Sequence, residues 1–209
     1  MSENLPAGKP AEAEEPFDLL QSFFEWVELF VFSFALVLVV ITLFIRHAPV
    51  DGTSMTHTLE DRDLVLVNEL FYTPKQGDIV VVQSQTHGFA EPLVKRVIAV
   101  GGQTVDIDFD TWTVYVDGEE IEEDYVRYLD RSTMNDVEKD YAKRPGTLSM
   151  LSEGMTFPKH VPEGYVFVLG DNRNNSLDSR SPGVGLIDSR CVVGRVFCRL
   201  FPFNKIGIF

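Results

Sequence analysis

The sequence predicts a mainly β protein preceded by one apolar α-helix. A twenty-residue run, Trp26–Ile45, holds a single charge, Glu28. Short runs rich in Val and Ile follow between Asp63 and Leu169, with Gly, Pro or Asp between them. After Pro49 no stretch shows helical periodicity of comparable strength.

At 209 residues the chain has room for one ordinary domain and a small appendage. Residues 1–21 are polar, rich in Ala, Pro and Glu, and without an apolar face. They are expected to form a disordered acidic tail. Residues 22–47 are expected to be a single transmembrane anchor, since twenty helical residues at about 1.5 Å each cross a core of roughly 30 Å. Pro49 stops any continuing helix. A removable secretory signal would need a basic start, a shorter apolar core and a small-residue exit, and this chain has an acidic start and Phe44-Ile45-Arg46-His47. The β domain then spans 48–209. Its expected strands are Asp63–Asn68, Asp78–Gln83, Leu93–Val100 and Gly164–Leu169, with Thr111–Val116 alternating into an Asp117-Gly118 hairpin turn. Residues 121–156 are polar and poorly periodic, and about 104–161 reads as a smaller β-rich insertion between two halves of one core.

The formal charge of -14 leaves no basic excess to displace phosphate counterions, so a nucleic-acid partner is not expected. The two cysteines, Cys191 and Cys198, fall in what reads as one strand. They would lie roughly 23 Å apart on opposite faces, too far to bridge.

The chemistry centres on Ser54, in Val50-Asp-Gly-Thr-Ser-Met55, a few residues beyond the apolar run. A serine nucleophile needs a base. The four histidines are His47, His57, His87 and His160, and no Gly-x-Ser-x-Gly elbow supports a triad, because Met55-Thr56 follow Ser54. A lysine serves if it is neutral near pH 7–8, which requires its pKa to fall roughly 3 units from about 10.4. Lys95 sits among Leu93, Val94, Val97, Ile98 and Val100, with Leu93, Val97 and Ala99 on its own strand face, and desolvation there can supply that fall. In Gly170–Arg180, Ser176, Asp178 and Arg180 share a face if the chain is extended. A hydroxyl and a carboxylate–guanidinium pair there would suit a preorganised site.

Val50–Met55, Thr58-Leu59, Asp63–Asn68, Lys95–Gly101 and Gly170-Asp-Asn-Arg-Asn-Asn-Ser-Leu-Asp-Ser-Arg180, in that order, resemble the box set of bacterial type I signal peptidases. The resemblance covers the chain from about Trp26. It implies a signal-peptidase/LexA-type β catalytic core, with Ser54 as nucleophile and Lys95 as general base. It further implies Ser176 hydrogen-bonded to Lys95, Asp178 and Arg180 bracing their loop, Met55 as a structural residue, and the Ser54 N–H as an oxyanion donor. Secretory precursors with small residues at -1 and -3 and the lipid bilayer are the implied partners, with no metal and no organic cofactor. Oligomeric state is left open.

This chain departs from the family pattern at three positions. Gly52 stands where some members have an oxyanion-stabilising serine, His57 replaces a proline in the turn, and Asn174 replaces a frequent Asp. Orientation is drawn from the implied chemistry, with the tail inside and the domain on the extracytoplasmic face. The charges point the other way, since Lys9 precedes the span and Arg46 follows it, but large domains translocate largely regardless of charge. Two rival readings remain. A LexA-type Ser-Lys protease would want an N-terminal DNA-binding unit, and a membrane-tethered, non-catalytic β binding module would leave Ser54 and Lys95 dispensable. At the C-terminus, Phe201, Phe203 and Phe209 either pack on the core or dip into lipid.

Overall fold

The computed structural model describes residues 19–83, 91–109, 111–126 and 154–209. Helix α1 runs Leu19–Phe44. It begins earlier than expected because Leu19, Leu20, Phe23 and Phe24 extend the apolar stretch upstream of Trp26. Its large side chains are bare, with Leu19 74%, Trp26 72% and Phe30 71% exposed. The expected tail therefore gives up residues 19–21 to the helix, and the remainder lies outside the described residues.

The anchor expected to reach residue 47 stops at Phe44, because Ile45–Pro49 become strand β1. That segment pairs antiparallel with β2 (Leu64–Asn68), Ile45 opposite Asn68 and Pro49 opposite Leu64. Proline is tolerable here because β1 is the outer strand of its sheet and needs no ladder donor on one side. Contacts divide the chain into two compact units, Met1–Thr42 and Leu43–Phe209.

The second unit is a β domain. Its main sheet takes β3 (Ile79–Val82), β4 (Leu93–Val100), β9 (Tyr165–Leu169), β10 (Ile187–Asp188) and β11 (Val192–Phe201) in the order β1-β2-β11-β3-β4-β9-β10. A short β12 (Gly207–Ile208) pairs with β11. Every strand expected from the Val/Ile runs is present. A smaller sheet, β7-β6-β5-β8, is made of β5 (Thr104–Asp108), β6 (Thr113–Val116), β7 (Glu119–Glu120) and β8 (Lys159–His160). It occupies the expected insertion, of which residues 110 and 127–153 lie outside the described residues, as does His87. Asp117 (φ 54°) and Gly118 (φ 83°) form the left-handed pair that a tight hairpin between β6 and β7 requires.

Among the described residues the inserted sheet shares its core with the main sheet. Val105, Ile107, Val114, Val116 and Val161 bury against Ile98, Ala99, Phe167 and Leu169 of β4 and β9. A second core joins Val50, Met55 and Leu59 to β2, β3 and Val196. A third, on the other face, joins Val80, Val82, Val97, Val166, Val168, Val184 and Ile187. A register shift in β4 between Val97 and Ala99 sends these two residues into different cores. Ala99 thus leaves the face on which strict alternation put it with Lys95.

Two smaller expectations change. Cys191 lies in a 3₁₀ turn, Ser189–Cys191, rather than on the strand that carries Cys198, and both thiols are free. Phe209 packs on the second core, while Phe201 is 48% and Phe203 77% exposed.

Candidate active site

Ser54 stands on a turn whose flanks are buried. Val50, Met55 and Leu59 are nearly inaccessible in the second core, so the half-buried serine between them has little freedom to wander. Gly52 (φ 89°) takes a conformation that side chains resist, and its N–H donates to Asp61 Oδ1 at 2.9 Å. Leu59 N–H and Thr58 N–H both donate to Met55 O, at 2.8 and 3.1 Å. His57 has φ 87°, which a proline ring cannot adopt. The exchange of proline for histidine therefore gives a different, still hydrogen-bonded turn, not simply a looser one.

Lys95 arrives from β4. Its Nζ lies 2.7 Å from Ser54 Oγ and donates to Val94 O at 2.9 Å. The residue is 2% exposed. Burial pulls its pKa down from the ordinary lysine value to about 8, while Asp178 and Asp171 resist the fall and Arg180 assists it.

The segment 170–180 is a loop, not an extended strand, yet it buries Asp178, Ser179 and Arg180 together. Asp178 and Arg180 form a two-pronged pair, with Arg180 Nε and Nη2 each 2.8 Å from a carboxylate oxygen. Burial opposes ionisation of Asp178, but the Arg180 charge and hydrogen bonds, with the Gly170 N–H, hold its carboxyl below the usual range. Asn172 N–H donates to Ser54 O at 3.0 Å, Asn172 Nδ2 to Thr53 O at 3.0 Å, and Asn175 Nδ2 to Thr53 Oγ1 at 2.7 Å. Gly170 is forced by closeness, since a Cβ there would fall 2.2 Å from Ser176 Oγ and 2.5 Å from Ser54 O.

Ser176 departs from expectation. Its Oγ is buried beside Gly170 and Asp178 and makes no hydrogen bond of ordinary geometry; Lys95 bonds Val94 O instead. The extended-chain argument put Ser176, Asp178 and Arg180 on one face; the loop still brings Ser176 and Asp178 together beside Gly170, but with the Ser176 hydroxyl unpartnered. Asn174 is likewise buried with neither amide atom partnered.

A family model described as signal peptidase, peptidase S26, matches residues 23–201. The chain belongs to this family. It is similar to signal peptidase I of Bacillus licheniformis, 34% identical over 188 residues that make up 88% of this chain and 92% of that one. It is also similar to signal peptidase IB of Staphylococcus aureus, 33% identical over 87% of this chain and 91% of that one. A crystal structure of a signal peptidase I from Enterococcus faecalis V583 shares 29% identity, covers 60% of this chain and 97% of its own, and has a TM-score of 0.43.

This S26 peptidase holds its site together with ion pairs that residue spacing did not announce. Arg96, next to Lys95, donates to both oxygens of fully buried Asp171, at 2.8 and 2.6 Å, and Thr58 Oγ1 donates to the same carboxylate at 2.5 Å. Arg173 pairs with Glu123, and Arg199 of β11 with Asp63. The one legible signal was that Asp171 and Arg173 flank Asn172 in a loop already singled out.

Next to Val94, whose carbonyl Lys95 bonds, a cavity of about 370 Å³ is lined by Ala48, Pro49, Val67, Val81, Val94 and Val193, with Asp51, Arg46, Glu69 and Glu91 also on its wall. Two backbone edges border it. One belongs to outer strand β1. The other is Leu93–Val94, which pairs with β3 but lies beyond the register with β9, which starts at Arg96.

Proposed function

We propose that this peptidase removes N-terminal signal peptides from secretory precursors at a bilayer, by a Ser54–Lys95 dyad acting through an acyl-enzyme. The observation that carries the reading is Lys95 Nζ, buried and 2.7 Å from Ser54 Oγ. Neutral Lys95 takes the proton from Ser54 Oγ as the oxygen attacks the scissile carbonyl. The Ser54 N–H faces the developing oxyanion. The Gly52 N–H is occupied by Asp61, so a water or another N–H supplies the second donor. Lys95 then passes its proton to the departing amine, leaving an ester on Ser54. The same amine deprotonates the water that hydrolyses the ester.

The supporting residues act through the loop. Asp178 and Arg180 brace it, and Ser176 packs beside Gly170 and Asp178 within it. The valine and alanine side chains of the cavity favour an extended segment with small side chains near the cut, laid along the outer edge of β1. Helix α1 includes a candidate membrane span, Leu19–Val39, with mean hydropathy 1.9. It would hold the domain on the extracytoplasmic face, assisted by exposed Phe201 and Phe203. The relatives named signal peptidase I support the substrate class.

The test is cleavage of a precursor whose signal ends in Ala-x-Ala by detergent-solubilised wild type, Ser54→Ala and Lys95→Met. Wild type should cleave at that site, and both variants should lose at least about 10³-fold in rate. Equal cleavage by all three would refute the dyad.

A further inference from the structure

Besides the shared apolar core, a short segment just after β7, Ile121–Val126, ties the inserted sheet to the reacting groups by polar contacts. Glu123 reaches Arg173, which is 2% exposed, by two bonds; Nη1 to Oε2 spans 2.9 Å and Nη2 bonds Oε1. Arg173 Nε in turn donates to Gly170 O at 3.1 Å. Tyr125 donates its hydroxyl to Glu123 Oε1 at 3.1 Å and lays its ring 3.8 Å from the Arg96 guanidinium carbon. Arg96 holds Asp171, and Asp171 holds Thr58 of the nucleophile turn. Two lines of contact thus leave the segment. One ends at Gly170, where a Cβ would fall 2.5 Å from Ser54 O; the other passes beside Lys95 to the Ser54 turn.

We propose that Ile121–Val126 is a strap through which the inserted sheet fixes the catalytic loop against Ser54 and Lys95, with Glu123 and Tyr125 as positioning residues. The inference rests on the dyad reading above. Neither residue touches substrate. Their work is to keep Arg173 and Arg96 from swinging, because a buried guanidinium without its partner must rotate toward water and carry its loop along. The groups that face Lys95, namely Ser54, Asp178, Asp171 and Arg180, sit on the turn and loop the strap holds. Slackening it admits water to the amine and lets its pKa climb back toward the ordinary lysine value.

The test uses the full-length enzyme in detergent with an Ala-x-Ala precursor. The variants are Glu123→Gln, Tyr125→Leu and Tyr125→Phe, with Glu120→Gln of exposed β7 as control. The strap predicts that kcat of Glu123→Gln and Tyr125→Leu falls about tenfold or more, with KM within about twofold. The pH of half-maximal kcat should rise by about half a unit or more. Tyr125→Phe keeps the ring over Arg96 and should recover most of kcat, and Glu120→Gln should match wild type. Wild-type kcat and pH midpoint in Tyr125→Leu would overturn the proposal. So would a loss of activity that only tracks the unfolded fraction, with an unmoved midpoint. If Glu123→Gln does not fold, the Tyr125 pair decides alone. A wild type that does not cleave, or a Ser54→Ala enzyme that does, would instead sink the dyad reading.

Discussion

An amine placed among Leu93, Val97 and the 170–180 loop loses the water that stabilises its charged form, and two neighbouring carboxylates do not fully replace it. The folded-state pKa of Lys95 is about 8, below the unfolded lysine value, so the unfolded chain binds more protons between them. Stability therefore rises with pH through that window, and below about pH 8 the buried charge is a full burden. Lys95→Met should abolish cleavage yet stabilise the fold by about 1–2 kcal/mol at pH 7, the relief of a buried charge less the hydrogen bond lost to Val94 O. Calorimetry at pH 7 and pH 10 checks this, since the stabilisation should shrink at the higher pH. Gly170→Ala brings a methyl to 2.5 Å from Ser54 O and 2.2 Å from Ser176 Oγ. The Ser176 side chain can turn away, but the Ser54 carbonyl moves only with the backbone that carries Ser54 Oγ. Cleavage should fall about 100-fold or more, with a loss of about 1–3 kcal/mol in denaturant unfolding.

Among elements, β11 and the Ser54 turn are joined by charge. Arg199 Nη1 donates to Thr58 O and to Asp63 Oδ2, both at 3.0 Å, and Asp63 is 2% exposed. Arg199→Leu leaves that carboxylate buried without its cation and should cost about 3–5 kcal/mol in urea unfolding; adding Asp63→Asn should restore part of it. How legible such features are follows from their range. Strands β2, β3, β4 and β9 could be read because each is a Val/Ile run between turn residues, and Lys95 stood out because its apolar neighbours are its sequence neighbours. The Asp178–Arg180 pair was legible too, being two residues apart. Arg96–Asp171, Arg173–Glu123 and Arg199–Asp63 were not, because their partners are brought together only by sheet order. Turning Ile45–Pro49 from helix into strand likewise depends on β2, some twenty residues on. The direction of the Ser176 hydroxyl was not legible, because a loop path, unlike a strand, gives side-chain direction no fixed period.

For the molecule as a whole, a bare apolar helix and a β domain have separate work. The unit beginning at Leu43 has three cores of its own, so removing residues 1–42 should leave hydrolysis of a soluble peptide within about threefold of the full chain. Cleavage of a precursor embedded in vesicles should instead fall about 10²-fold or more, because the proposed anchor would raise the effective concentration of enzyme at the bilayer. Comparing both substrates with both proteins separates anchoring from chemistry. The account turns most directly on which group is the base, and a pH series of single-turnover cleavage by wild type and His57→Ala addresses that. A rate that climbs to a plateau with a midpoint near 8 in both proteins is the result predicted for Lys95. A midpoint near 6.5 in wild type that disappears in His57→Ala would give the proton to histidine and contradict it.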